Sequence, residues 1–266
     1  MNILKRELKA GRKAFIFWCI GLFVLVFASI IKFTGIEAGG AEVEDIVAQF
    51  PRPLQAMFGL VGVNISQIDG YYAAIVFYVM VCIAIYAISL GANAVGREAV
   101  DKTYEFVFTK PCSRSYILAM KLASGVVYLV AISLINYLSS VAALATLKLE
   151  KDISSEVLLF SVSEIIVGLV FFTMSAMIVS VIKRSEKGFL YGNICFLVAF
   201  IIGMLYDMLE NAELLRFFTP LRFFIPSEIL NGTLNVGYVV FAIILCIGFT
   251  TLSFINFEKK DLQASS

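Results

Sequence analysis

The 266-residue sequence contains no histidine and few charged side chains. Without histidine, the chain cannot form the H-E-x-x-H zinc site of a metalloprotease or the Ser-His pair of an intramembrane protease. The cysteines are scattered, which indicates no structural metal site. Aspartate, glutamate, lysine and arginine make up only 15% of the residues, whereas soluble domains have about 25%. The absence of histidine therefore excludes these enzyme classes. The low charged fraction indicates a strongly apolar chain.

Long apolar runs account for most of the sequence, and 60% of all residues are hydrophobic. A helix needs roughly 20 apolar residues to cross the hydrocarbon core of a bilayer. Six runs qualify and predict an all-α integral membrane protein, read as a single domain over residues 1–266. The predicted spans are residues 14–31, 71–96, 117–147, 157–182, 188–206 and 236–256. The first run is too long for a secretory signal and lacks an A-x-A-like cleavage site, so we expect it to be an anchor.

The distribution of lysine and arginine predicts the orientation in the membrane. With a cytoplasmic N-terminus, fourteen basic residues fall on the inner side and six on the outer side. Both termini are therefore expected to be cytoplasmic, in agreement with an even number of spans. The net charge is only +1, and no basic surface for nucleic acid is indicated.

A charged stretch over residues 97–115 connects the second and third predicted spans. The segment from Gly96 to Thr103, which overlaps the start of this stretch, matches the phosphate-binding pattern G-x-x-x-x-G-K-[ST] except that Asp101 replaces the second glycine. An aspartate there would repel phosphate, and the segment follows a membrane span and not a β-strand. We expect no nucleotide site in this chain.

The same stretch resembles the permease subunits of ABC-2 type ABC transporters, especially bacterial exporters whose ATPase is a separate chain. The matching residues are Glu98, Thr103, Glu105, Phe106, Val107, Pro111, Ser113, Arg114 and Lys121. Lys102 stands where many members have glycine. Further matches are Phe50-Pro51 and Met57-Phe58-Gly59 before the second span, the stretch from Thr219 to Phe224, and the closing segment from Phe257 to Leu262.

The resemblance implies a cytoplasmic coupling helix that seats in a cleft of the ATPase. The mixed-sign side chains suit paired contacts and the aromatic ones suit buried anchors, while Pro111 ends the helix. The residues assigned to ATPase coupling are Arg97, Glu98, Asp101, Lys102, Thr103, Tyr104, Glu105, Phe106, Pro111 and Arg114. From the residues alone, a solvated loop that only sets topology is the alternative.

The N-terminal segment before the first span is amphipathic. Ile3, Leu4 and Leu8 share one helical face, and basic residues occupy the others. The family resemblance implies an elbow helix beside the coupling helix, with basic residues Lys5, Arg6, Lys9 and Arg12. A plain basic flank that orients the first span is the alternative.

Two ionisable residues fall at or within the spans, where a charge costs at least about 2.5 kcal/mol. Lys121 lies near the inner edge, and we expect it to snorkel toward water in a structural role. Glu164 belongs either at the outer boundary, in a structural role facing the bundle, or in the export pathway.

The segment between the fifth and sixth spans, Asp207 to Asn235, is apolar but interrupted by Pro220 and Pro226. It predicts re-entrant or interfacial helices at the outer leaflet. In related exporters this region forms an outer gate, for which the candidates here are Phe217, Phe218, Phe223 and Phe224. Simple interface anchoring is the alternative.

The resemblance implies a multi-pass subunit of the bacterial cell membrane that is not an enzyme by itself. It implies two copies of an ABC ATPase, which would hold ATP and magnesium, and a second permease that is the same or a similar chain. Membrane lipid is the remaining partner, and no cofactor is expected in this chain. The substrate would be hydrophobic or amphipathic: a peptide, a drug or a lipid-like molecule. The alternatives are an ion-coupled secondary carrier and a non-transporting membrane scaffold or sensor.

Overall fold

The computed structural model describes residues 3–100, 113–147, 151–209 and 212–259. Within these ranges the chain forms helices joined by turns, without a β-strand. The helices are α1 (Ile3–Ile31), α2 (Phe33–Ala48), α3 (Arg52–Met57), α4 (Ile68–Val100), α5 (Arg114–Leu144), α6 (Ser154–Val181), α7 (Gly188–Met208), α8 (Glu213–Arg216), α9 (Pro226–Leu230) and α10 (Val236–Lys259). The six long helices α1, α4, α5, α6, α7 and α10 are apolar enough to cross a membrane. They confirm the predicted all-α membrane protein.

The first long helix differs from the predicted arrangement. α1 begins at Ile3 and continues through Ala14 to Ile31 as one helix. The basic segment is therefore the first part of the first span helix, and no break separates an elbow helix from it. Its lysine, arginine, leucine and alanine residues favour helix, and Gly11 alone does not interrupt it.

The inner layer of the bundle consists of α4, α5 and α6, which are largely buried, whereas α1, α7 and α10 are largely exposed. The most extensive packing joins α4 to α6. Glycine permits a very close approach there, since a Cβ added to Gly91 would lie 2.2 Å from the carbonyl oxygen of Phe172. One turn along, Ser175 Oγ donates a hydrogen bond of 2.8 Å to the carbonyl oxygen of Ile88. The backbones of α4 and α6 therefore touch in the C-terminal half of each helix.

The predicted outer loop after the first span contains helices. α2 is bent at Gly40, whose φ of 46° breaks its helical geometry. Ser66 Oγ donates a hydrogen bond of 3.0 Å to the carbonyl oxygen of Gly40, which ties the bend to the turn before α4. The segment from α2 to α3 thus folds back toward the bundle.

The chain direction defines two ends of the bundle. α1, α5 and α7 begin at one end, where α4, α6 and α10 finish; we call it the N-terminal end. The opposite end, called the far end, carries α2, α3, α8 and α9. The segment predicted to couple to an ATPase joins α4 to α5 at the N-terminal end.

Candidate functional site

The N-terminal end contains an ion pair between α4 and α5. Glu98, in the last turn of α4, accepts a hydrogen bond from Lys121 Nζ of α5. Lys121 is 1% exposed and Glu98 is 6% exposed. Lys121 therefore does not snorkel to water as its sequence position suggested, because Glu98 supplies an opposite charge inside the bundle.

The second turn of α1 completes the charged group. Arg6 Nη2 donates to Glu98 at 3.0 Å and to Glu7 at 2.6 Å, and Arg97 Nη1 donates to Glu7 at 3.3 Å. Glu7 is 6% exposed although it lies in a basic segment. We call Arg6, Glu7, Arg97, Glu98 and Lys121 the N-terminal ion cluster. It joins three helices through paired charges, and removing one partner of such a buried pair typically costs about 3–5 kcal/mol.

Close packing beside the cluster holds α1 against α5. Tyr128 Oη donates a hydrogen bond to the carbonyl oxygen of Leu8. The Tyr128 ring also covers Gly11, where an added Cβ would lie 2.7 Å from the ring. These contacts explain why the N-terminal segment continues α1 and does not turn away along the membrane surface. They also bring Arg6 to the cluster, whereas the elbow candidates Lys5, Lys9 and Arg12 are exposed.

The ion cluster lies directly before residues 101–112. Seven predicted coupling residues lie outside the described residues: Asp101, Lys102, Thr103, Tyr104, Glu105, Phe106 and Pro111. The other three are Arg97 and Glu98 in the cluster, and Arg114 at the start of α5. The structure thus brings two of these three into the same ion cluster, Arg97 through Glu7 and Glu98 through Arg6 and Lys121.

Arg114 lies in a second contact at the same end. Its Nη1 donates a hydrogen bond of 3.3 Å to the carbonyl oxygen of Glu258, near the end of α10. Ser115 Oγ donates to the Glu258 carboxylate. Ser113 caps α5, since its Oγ accepts a hydrogen bond of 3.2 Å from the backbone amide of Tyr116. The chain that leaves the coupling segment is therefore fixed to α10 as it enters α5.

Sequence reasoning missed Glu7. The sequence feature that could have indicated its role is that Glu7 is the only acidic residue among five basic ones. Taken alone, it resembles a charge on a solvated helix face. The matching signal was Lys121, an isolated cation inside an apolar run. Neither indicates its partner, because the pairing depends on how the helices pack.

Glu164 lies inside the inner layer and is 0% exposed. Asn136 Nδ2 of α5 donates to both carboxylate oxygens at 3.0 Å. Nearby, Tyr72 of α4 donates a hydrogen bond of 3.0 Å to Ser140 Oγ. Glu164 therefore lies in the bundle interior, where α4, α5 and α6 meet, and not at the outer boundary.

The far-end segment is organised by Arg216. Its guanidinium donates two hydrogen bonds to the Glu228 carboxylate, at 3.0 and 2.7 Å, and others to the carbonyl oxygens of Arg222 at 2.9 Å and Phe223 at 3.0 Å. It also lies 4.2 Å from the centre of the Tyr238 ring. Burial opposes the charge, but the hydrogen bond and attraction from Glu228 raise the pKa of Arg216 above its ordinary value. This one side chain links α8, the turn after it, α9 and α10.

The four predicted gate residues divide into two pairs. Phe223 and Phe224 are buried at 0% and 2% exposure, and the Phe223 ring stacks on Tyr238 at 5.4 Å. Phe217 and Phe218 are 45% and 68% exposed. The predicted interfacial helices are short elements folded onto the bundle, and two of the four aromatic residues are part of its core.

Comparison with known families agrees with this architecture. The sequence-family model described as ABC-2 family transporter protein matches residues 1–262, nearly the whole chain. The chain belongs to the ABC-2 transporter family. No curated protein matches it. The resemblance seen in the coupling stretch is confirmed, and this ABC-2 protein is a membrane-embedded transporter permease, a type of subunit that is not itself catalytic.

Proposed function

We propose that this permease belongs to an exporter in which a separate ATPase drives the movement of a hydrophobic or amphipathic substrate, such as a peptide, a drug or a lipid-like molecule. The observation that carries the proposal is the N-terminal ion cluster. It joins α1, α4 and α5 where residues 101–112 leave α4. A force applied to that segment would reach three spans together, as coupling to an ATPase requires.

The orientation in this proposal places the N-terminal end in the cytoplasm of a bacterial cell membrane. The positive-inside bias supports it, since the exposed basic residues Lys5, Lys9 and Arg12 lie at that end. The coupling segment would then face the compartment that contains ATP. Hydrolysis, with its magnesium, belongs to the partner.

The proposed assembly contains two permeases and two ATPases. The outer helices support pairing because they present apolar surface, such as Phe17 on α1 at 74% exposure and Leu197 on α7 at 54%. Lipid would cover the rest of this surface. The second permease would be the same or a similar chain, with the export path between the two.

The test is co-purification from native membranes with a tagged chain. We expect an ABC ATPase to accompany the wild type in stoichiometric amount. Tyr104→Ala and Phe106→Ala should reduce its recovery about tenfold or more, because buried aromatic anchors dominate interfaces. Tyr78→Ala on α4 is the matched control, an exposed aromatic residue outside the coupling segment and outside the outer helices, and should retain the ATPase.

Two results would contradict the proposal. If intact wild-type protein carries no ATPase, a secondary carrier or a membrane scaffold becomes the better interpretation. If both loop variants retain the ATPase and full transport, the coupling role of residues 101–112 is wrong.

A further inference from the structure

The far end contains a cavity of about 240 Å³ that the proposed transport function does not use. It lies between the end of α7, the start of α3 and the turn before α9. The lining residues that matter here are Arg52, Phe77, Tyr206, Asp207, Glu213 and Arg222. Charged, aromatic and apolar groups therefore share one small space.

The inner wall of the cavity is a buried ion pair. Arg222 Nη2 donates to the Asp207 carboxylate, and the two side chains are 9% and 8% exposed. The guanidinium lies 5.0 Å from the centre of the Phe77 ring. Arg222 Nε is buried and has no hydrogen-bond partner among the described residues. A buried donor without a partner is costly, so this guanidinium has unused capacity for an acceptor.

The mouth of the cavity adds one charge of each sign. Arg52, at the start of α3, and Glu213, at the start of α8, are both exposed. Arg52 lines the same cavity as Asp207 and carries the opposite charge. Among the described lining residues, two guanidiniums thus face two carboxylates. This balance disfavours a ligand of one sign and favours a ligand that carries both charges.

We propose that this cavity binds a phosphate–ammonium zwitterion, the headgroup of an ethanolamine phospholipid. The phosphate accepts hydrogen bonds from the guanidiniums of Arg222 and Arg52, which suit its geometry. The ammonium faces Glu213. Leu209, on the cavity wall and 55% exposed, offers apolar surface to the acyl chains. The site does not depend on the presence of an ATPase.

The position in the bundle supports a lipid as the source of this headgroup. The cavity is at the end of a membrane-crossing helix, where lipid phosphates lie, and the neighbouring α8 exposes Leu214 at 78%. The same phosphodiester–ammonium group exists in free glycerophosphoethanolamine, which lacks acyl chains. The experiment separates the two sources.

The test uses the full chain, delipidated in detergent, and isothermal titration calorimetry. The probes are dihexanoyl phosphatidylethanolamine, dihexanoyl phosphatidylglycerol and glycerophosphoethanolamine. We expect the wild type to bind the ethanolamine lipid about tenfold more tightly than the glycerol lipid, because only the former carries an ammonium for Glu213. Binding of glycerophosphoethanolamine with equal affinity would identify the free headgroup as sufficient, and weaker binding would show that the acyl chains contribute.

Exposed residues provide variants that should fold. Glu213→Gln should remove the preference for the ethanolamine lipid, and Arg52→Gln should weaken binding of both lipids about tenfold. The matched controls, Glu44→Gln and Lys32→Gln, change exposed charges outside the cavity and should bind as the wild type does. Equal wild-type affinity for the two lipids, no binding, or a preference that survives Glu213→Gln would overturn the proposal.

Discussion

Lys121 on α5 and Glu98 on α4 form a buried ion pair at the N-terminal end of the bundle. Arg6 of α1 shares the same Glu98 carboxylate. The pair is therefore the point at which the first three spans are joined. Because neither charge is exposed to water, each depends on the other.

Removal of Lys121 alone tests this dependence. Lys121→Met should lower the free energy of unfolding by about 3–5 kcal/mol, because Glu98 loses its most buried partner. The double variant Lys121→Met with Glu98→Gln should recover most of the loss, since no unpaired carboxylate remains. Denaturant unfolding in mixed micelles measures both values.

The matched control for this pair is Lys183→Met, which removes an exposed lysine at the same end of the bundle. Its effect should stay within about 0.5 kcal/mol. A loss for Lys121→Met no larger than that of the control would show that the buried pair does not stabilise the bundle.

A methyl group at Gly91 should separate α4 from α6. Gly91→Ala places a Cβ against the Phe172 carbonyl oxygen, and backbone cannot move away as a flexible side chain can. We expect a loss of about 1–3 kcal/mol in the free energy of unfolding. Gly21→Ala on α1 is the control, because nothing lies within 4 Å of its added Cβ. Equal thermal stability of the two variants would rule out the close helix contact.

Arg216→Lys should loosen the far-end segment while leaving the bundle folded. A lysine ammonium cannot form the two parallel bonds to Glu228 together with the bonds to two backbone carbonyls. Amide hydrogen exchange over residues 217–235 should become about tenfold faster or more, as expected when a charged hydrogen-bond network is reduced. Arg184→Lys changes an exposed arginine at the other end and should not alter exchange there. Unchanged amide exchange in both variants would show that the Arg216 hydrogen bonds do not hold the far-end segment in place.

Replacing the Glu164 carboxyl group with an amide should affect stability less than removing the side-chain amide of Asn136. Glu164→Gln replaces a buried ionisable group with an amide that can still bond Asn136, so thermal stability should be unchanged or higher. Asn136→Leu removes the amide that donates to both carboxylate oxygens and should cost about 1–3 kcal/mol. Asn193→Leu is the control, since Asn193 bonds only its own helix among the described residues.

The transport activity of the same Glu164→Gln variant tests the pathway hypothesis separately. Full transport with wild-type stability would assign Glu164 to structure alone. Lost transport with intact folding would support a place in the export path.

The membrane spans were predictable because length and apolarity are local properties. The helix from Ile68 to Val100 contains the predicted span 71–96, and Gly188–Met208 begins where predicted. The family was also predictable from the sequence, because the residues of the charged stretch around Glu98 match the family's residues in order as well as in type. Both predictions use information that lies within short segments.

The partners of the buried charges were not predictable in the same way. The sequence indicates no partner for Glu7, Arg216 or Arg222, and the position of Lys121 suggested a side chain that snorkels to water. Their roles follow from which helices become neighbours, and only tertiary packing determines that. The helix that contains the predicted span 14–31 begins earlier, at Ile3, and contacts with Tyr128 of α5 hold this earlier part against the bundle.

The continuity of α1 has a mechanical consequence. Its 29 residues make a rod of about 44 Å, longer than the roughly 30 Å hydrocarbon layer. Salt links join one tip of this rod to α4, and at the other tip Tyr71 of α4 donates a hydrogen bond of 2.8 Å to the carbonyl oxygen of Ser29. Because both tips are tied to the same neighbour, α1 and α4 would tilt together as one strut that reaches from one face of the bilayer to the other.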